Sequence, residues 1–275
     1  MSDKSTDKST LSLVIPTMDK YGYLSRTLIH STTQGFREVI VVDSSIKEKK
    51  EIEELCKKYH VRLIQADMDR LEARNYGAFV SNSEWVAICD DDVIIHQFDM
   101  QKFSALAAQS DFFYGGWGEK PTENYAWIFR RRFFLDILKG YDGNITGGDD
   151  LDITLRSKRL GRGVDAMAAD LYRTETIGMD IFKDYPSKWI RNKVHYSLTI
   201  FPLYCRHKHL IPNIFMSDGW RLNRIMKGEP PLKVLYEGFI ERAGLIFSPL
   251  YYLLHRGRGR KSDIYGIDPS AKAGP

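Results

Sequence analysis

Four short runs, residues 11–15, 38–42, 61–64 and 85–89, are nearly continuously apolar. The first, second and fourth stop at polar residues: Pro16-Thr17, Asp43-Ser44-Ser45 and Asp90-Asp91-Asp92. Continuous rather than alternating apolarity predicts strands buried on both faces of a parallel sheet. The intervening residues 23–33, 47–59 and 72–81 read as helices, with Ile52, Leu55 and Tyr59 at helical spacing in the second. Strand–helix–strand alternation predicts an α/β sandwich with right-handed crossovers. Ligands of such sheets bind beyond the carboxyl ends of the strands, so Pro16-Thr17, Asp43 and the Asp90 cluster are expected along one edge. Residues 111–163 read as mixed and loop-rich. Beyond about residue 185, aromatic-aliphatic runs alternate with basic clusters. The predicted organisation is a loose polar tail over 1–10, an α/β domain over 11–184 and a helical region over 185–275.

The chain has 275 residues, 43% hydrophobic and 28% charged, a balance that supports a packed core and excludes wholesale disorder. Three distant cysteines, Cys56, Cys89 and Cys205, with no CxxC pair, argue against a disulfide framework or a zinc cluster and fit a reducing compartment. The polar first ten residues predict no secretory signal peptide. A net charge of +4 says little, but its distribution says more: Arg256, Arg258, Arg260 and Lys261 follow an uncharged run over 243–254. That run is shorter than the about 20 residues a spanning helix needs, and Pro249 interrupts it. A second apolar stretch, 194–215, is broken by Arg206, His207, Lys208 and His209. The pattern predicts helices lying on an anionic membrane surface at the cytoplasmic inner face. Packing on the catalytic domain or a dimer contact is the alternative. Nucleic acid is not an expected partner.

Three motifs carry candidate chemistry. Asp90, Asp91 and Asp92 end an apolar strand, where a divalent cation bridging to a diphosphate relieves their repulsion. Oxygen ligands suit magnesium or manganese, and in extended backbone Asp90 and Asp92 share one side. An isolated acidic run is more often a solvated turn. Gly147-Gly148-Asp149-Asp150-Leu151-Asp152 precedes a helical pattern over 153–159, and its carboxylates suit either a helix N-terminus or a general base. Arg70 and Arg74, in Arg70-Leu71-Glu72-Ala73-Arg74-Asn75-Tyr76-Gly77, can hold phosphate oxygens, although an arginine on a helix is usually solvated.

Together these segments resemble a family 2 glycosyltransferase of the GT-A fold. Leu13-Val14-Ile15-Pro16-Thr17 is similar to that family's first strand. Val41-Val42-Asp43-Ser44-Ser45 is similar to its second, whose aspartate contacts the nucleotide base. Ala73-Arg74-Asn75-x-Gly77 is similar to its ARNxG segment, and Asp90-x-Asp92 to its DXD motif, which holds metal and diphosphate. Gly148-Asp149-Asp150-x-Asp152, with Arg156 and Gly161 after it, resembles the family's G-E-D-x-D block, where Asp150 matches the catalytic base. The likeness covers residues 11 to 170 in five ordered motifs. Asp149 stands in place of the usual Glu, Asp19 in place of Asn, and Ser44 in place of a common acidic or Asn residue. A histidine often found after the last block is absent, since the chain reads Tyr172-Arg173-Thr174-Glu175. His96 and His195 are the candidate substitutes, although a lone histidine is more often structural.

The resemblance implies an inverting transfer of a sugar from a nucleotide-diphosphate donor to an acceptor hydroxyl on a lipid-linked or other glycan precursor. It implies Mn2+ or Mg2+ at Asp90 and Asp92 and donor contacts from Pro16, Thr17, Asp43, Arg74 and Asp91. Arg74 would steady either the phosphates or the sheet edge. Gly148 and Asp149 flank Asp150 at the implied acceptor region. Two rivals remain: a membrane-docked scaffold that keeps the fold without the activity, and a sugar-phosphate nucleotidyltransferase. The second usually opens with a Gly-rich basic phosphate loop, whereas residues 11–26 hold only Gly22.

Overall fold

The computed structural model describes residues 10–114, 126–143, 145, 149–166, 168–177, 201–207, 234–236, 238–239, 242–243 and 246–250. The tail over 1–9, Gly147, Gly148, His195, the basic residues from Arg256 to Lys261 and most of the region 185–275 lie outside them. The chain divides into two compact units. The described part of the first comprises residues up to Tyr141 together with 154–177. That of the second comprises 142–153 and the described residues from 201 onward.

The first unit holds a seven-stranded sheet in the order β3-β2-β1-β4-β7-β6-β8. The strands are β1 (Leu11–Thr17), β2 (Glu38–Asp43), β3 (Arg62–Gln65), β4 (Trp85–Cys89), β6 (Phe112–Tyr114), β7 (Ala126–Arg130) and β8 (Gly163–Asp165). β3, β2, β1 and β4 run parallel, and every residue of the nearly continuously apolar β1 and β4 is buried, while the edge strand β3 is only partly buried. β7 enters antiparallel beside β4 and β6, so the sheet is mixed but mostly parallel. A two-stranded sheet pairs β5 (Val93–Phe98) with β9 (Tyr172–Thr176).

Helices α1 (Tyr21–Ser31), α2 (Lys49–Lys58) and α3 (Arg70–Val80) connect the parallel strands, and α4 (Met100–Ala107) follows β5. Leu24, Leu28, Ile52 and Leu55 of α1 and α2 join Leu13, Ile15, Val39 and Val41 in the core. α3 lies so close to the sheet that a Cβ on Gly77 would overlap the Val14 side chain and stand 3.2 Å from Val42 Cγ2. A π-helix (Phe133–Ile137) follows β7, and α5 (Asp149–Leu160) starts within the Gly-Gly-Asp-Asp block. α6 (Phe201–Arg206) belongs to the second unit.

Two boundaries differ from the sequence expectation for identifiable reasons. β1 continues through Pro16-Thr17 because its pairing with β4 ends at Val14, while pairing with β2 runs on to Thr17 and Asp43. The donor that proline lacks is therefore not needed on the β4 side. α3 begins at Arg70 rather than residue 72 because Asp69 and Glu72 form a reciprocal capping box. Asp69 accepts from Leu71 N and Glu72 N, both at 2.8 Å, and Glu72 accepts from Asp69 N at 3.0 Å.

Candidate active site

The carboxyl ends of β1, β2 and β4 and the start of α3 enclose a cavity of about 370 Å³ within the first unit. Pro16, Thr17, Met18 and Lys20 line it from β1 and the following turn, and Ser44 from the end of β2. Met68, Arg70 and Ala73 come from α3 and its approach, and Asp90, Asp91 and Asp92 from the end of β4. Residues far apart in sequence meet here because adjacent parallel strands end at one edge.

The turn that carries the three aspartates is fixed through its backbone. The Asp90 carbonyl accepts from Val93 N at 3.2 Å, the Asp91 carbonyl from Thr27 Oγ1 at 2.8 Å and the Asp92 carbonyl from Ile177 N at 2.7 Å. The middle carboxylate is committed to the protein: Asp91 is buried and accepts from Thr17 Oγ1 at 2.8 Å and Lys20 Nζ at 3.1 Å. Asp90 and Asp92 keep partial exposure on the cavity wall. Asp90 accepts from Arg74 Nη2 at 2.5 Å, and the Arg74 guanidinium is fully buried against the faces of Tyr141 and Trp127.

The electrostatics separate the three carboxyls. Burial pushes Asp91 and Asp92 above the ordinary carboxylate range, and Lys20 only partly opposes it. Burial acts on Asp90 in the same direction, but Arg74, Arg70 and Lys20 outweigh it and hold this carboxyl low. The Lys20 ammonium loses hydration too, yet the three aspartates raise its pKa above the usual lysine range.

The Ala73–Gly77 segment divides its labour. Ala73 lines the cavity, Arg74 holds Asp90, and Gly77 permits the close approach of α3 to β1. Asn75 is structural: its Nδ2 donates to the Tyr141 carbonyl at 2.9 Å and its Oδ1 accepts from Tyr141 N at 2.8 Å. Those bonds hold the turn at Gly140, whose φ of +68° suits glycine.

Other candidates are placed differently. Asp43 is buried at the end of β2, accepting from Ser45 N at 2.9 Å and Gln65 Nε2 at 3.3 Å, and the lining residue that follows this strand is its neighbour Ser44. Asp19, at φ 50°, accepts from the backbone of Ile46, Lys47 and Glu48, so this carboxylate ties the β1 turn to the β2 loop. His96 lies on β5, 2.8 Å from Glu175, and is not a lining residue. In the second unit, Asp149 and Asp152 are buried on the first turns of α5, while Asp150 is partly exposed. Lys20 and Met68 are lining residues that sequence reasoning overlooked, and Ser44 was noted only as a departure from the family pattern. Lys20 carried only one local signal, a basic residue just past a strand end, because its partner lies 71 residues away.

Asp90 and Asp92 supply hard oxygen donors on the cavity wall, a donor set that suits magnesium or manganese. Among the described residues no group of three His, Cys, Asp or Glu could cage a metal unaided. The pair therefore fits a cation that completes its shell with phosphate oxygens and water.

The sequence profile of glycosyl transferase family 2 matches residues 12–167, more than half of the chain. The chain belongs to that family and so to the glycosyltransferase class. Among solved structures, Staphylococcus aureus TarS shares the fold, with a TM-score of 0.51 at 15% identity over 88% of this chain and 55% of that one. The chain thus spans about half the length of that TarS structure. A TarS fragment, residues 1–349, gives a TM-score of 0.49 at 14% identity, covering 93% of this chain and 76% of that one. A cytidylyltransferase from Leptospira borgpetersenii gives 0.37 at 14% identity, covering 47% and 63%. No curated protein sequence gives a significant match. The fold is thus GT-A, a mixed, mostly parallel sheet flanked by helices.

The buried pair predicts a specific stability effect. Arg74→Met should cost roughly 2–4 kcal/mol in denaturant unfolding, less than a fully buried pair because Asp90 reaches the cavity. Adding Asp90→Asn should recover part of that loss. An Arg74→Met variant as stable as the wild type would show that the guanidinium does not hold the carboxylate.

Proposed function

We propose that this protein transfers a sugar from a nucleoside-diphosphate donor to an acceptor hydroxyl with inversion at the anomeric carbon. The observation that carries the reading is the cavity at the strand ends. It presents Asp90 and Asp92 on its wall, withdraws Asp91 into contacts with Thr17 and Lys20, and sets Lys20 and Arg70 beside them. Asp90 and Asp92 are the residues that would hold Mn2+ or Mg2+ beside the donor diphosphate, where such a cation would supply neutralising charge for the leaving group. Lys20, anchored on Asp91, and Arg70 add positive charge at the same wall. Pro16, Thr17 and Ser44 border the space for the nucleoside, with Asp43 bracing the loop after β2.

The acceptor oxygen attacks the anomeric carbon as the bond to the diphosphate breaks. The departing electron pair stays on the phosphate oxygen, and the hydroxyl proton passes to the carboxylate of Asp150. Family resemblance nominates Asp150. Its partial exposure supports it over Asp149 and Asp152, which are buried. Gly148, the remaining residue of the acceptor region, lies outside the described residues.

The acceptor is a lipid-linked glycan precursor met at the inner face of the membrane. Among the described residues no helix is long and apolar enough to cross a membrane. In the second unit, however, Phe239, Ile246, Phe247 and Leu250 expose more than half of their surfaces. Exposed apolar side chains ahead of the basic run from Arg256 suit shallow insertion into an anionic bilayer.

Asp150→Asn should lower turnover by about a hundredfold or more, the usual range for a general base being about 10²–10⁴, while donor affinity stays near wild type. If Asp149→Asn is the damaging change and Asp150→Asn is mild, the base is the preceding residue.

Sedimentation with phosphatidylserine vesicles tests the membrane reading. The full-length chain should pellet at low salt and release as salt rises, since each nearby basic side chain contributes about 1 kcal/mol. Ile246→Ser with Phe247→Ser should weaken pelleting and leave nucleotide binding intact. A full-length chain that stays in the supernatant returns these side chains to a protein contact and removes the argument for a lipid acceptor.

A further inference from the structure

The segment that carries Asp150 is bracketed by two carboxylates that share one cation. Arg206, the last residue of α6, donates through Nη1 to both oxygens of Asp152, at 3.1 and 3.2 Å. Its Nη2 donates to Asp142 Oδ2 at 2.5 Å. His207 Nε2 lies 3.0 Å from Asp152 Oδ1. Asp152 is 1% exposed and Asp142 about a quarter exposed, and all four residues belong to the second unit. Between the two aspartates run residues 143–151, which include Gly143, Gly147, Gly148, Asp149 and Asp150.

Asp150 stands on the first turn of α5, between Asp142 and Asp152 in sequence, so a cation that joins those two carboxylates constrains the direction of that turn. A guanidinium is suited to this because its planar fork offers donors in fixed directions to two carboxylates at once. A lysine ammonium, a single point charge on a flexible stem, reproduces the charge without the span. The Asp152 end of the clamp is also the deeply buried one, where a paired carboxylate is held most firmly.

We propose that Arg206 is a positioning residue for Asp150. By tying Asp142 to Asp152 it fixes the first turn of α5 and, with it, the direction of the base. The proposal rests on Asp150 as the base, and it makes α6, beyond the stretch matched by the family profile, a working part of the catalytic apparatus.

The test uses full-length Arg206→Ala, Arg206→Lys and Asp142→Asn. Arg206→Ala should lower kcat by about a hundredfold, the scale of a misplacement of about 1 Å, with nucleoside-diphosphate affinity little changed. Millimolar guanidinium ion should restore part of that turnover, because the site is 38% exposed at Arg206 and admits the ion. Arg206→Lys should remain impaired. Asp142→Asn keeps the buried Arg206–Asp152 pair, so it folds where Arg206→Ala does not, and it should show a smaller loss of kcat in the same direction. Unchanged kcat in Arg206→Ala and Asp142→Asn overturns the proposal. So does a loss of kcat matched by an equal loss of nucleotide affinity and indifferent to guanidinium. Hydrogen–deuterium exchange over 143–151 separates this proposal from the base assignment. If Asp150→Asn is fully active the assignment fails, yet faster exchange in Arg206→Ala or Asp142→Asn still establishes the clamp, and unchanged exchange removes it.

Discussion

Three carboxylates in succession at the end of a buried strand set the terms for the rest of the site. Unit charges of one sign about 4 Å apart cost about 4 kcal/mol at an effective dielectric constant of 20, so such a cluster persists only where cations and donors offset it. The fold provides them unequally. Asp91 is satisfied by Thr17 and Lys20, Asp90 by a buried Arg74, and Asp92 is left facing the cavity with Lys20 and Arg70 nearby. Much of the surrounding architecture serves that arrangement. Gly77 brings α3 close to β1, Asn75 holds Tyr141, and Tyr141 with Trp127 encloses the Arg74 guanidinium. The ARNxG segment is therefore best understood as a brace for the first aspartate of the DXD pattern.

The second unit solves a different problem. Its candidate base, Asp150, stands on the first turn of α5, between Asp142 and Asp152 in sequence. The shared guanidinium of Arg206 and the imidazole of His207 meet Asp152 on that turn. The same unit exposes Phe239, Ile246 and Phe247.

The parallel half of the sheet was legible because β1, β2 and β4 are buried on both faces, and burial on both faces leaves a continuous apolar run. The convergence of Pro16-Thr17 with Asp90-Asp91-Asp92 followed from strand polarity alone. β6 and β7 were not legible: Phe112–Tyr114 and Ala126–Arg130 are short, and β7 is strand because it pairs with β4, as in Ile88↔Trp127 and Ala87↔Ile128. β5 was obscured by its position directly after the acidic turn. Lys20 and Arg206 were missed for one shared reason. Each takes its meaning from carboxylates more than fifty residues away, and no local pattern encodes such a pairing. Asp43 was expected to contact the nucleoside; it is buried at the end of β2 and its observed bonds go to Ser45 N and Gln65, a pairing that spacing does not contain.

The central claim is that the Asp90–Asp92 wall binds a nucleoside diphosphate through a divalent cation. Calorimetric titration of uridine, cytidine, guanosine, adenosine and thymidine diphosphates into the wild-type chain and Asp92→Asn, each with manganese or with chelator, tests it directly. At least one nucleotide should bind the wild type with manganese and bind about tenfold or more weakly with chelator, since losing a charge-assisted ligand costs at least about 1.4 kcal/mol. Asp92→Asn should lose most of the manganese effect. Equal affinity under all four conditions, or no binding of any nucleotide with manganese, would contradict the account.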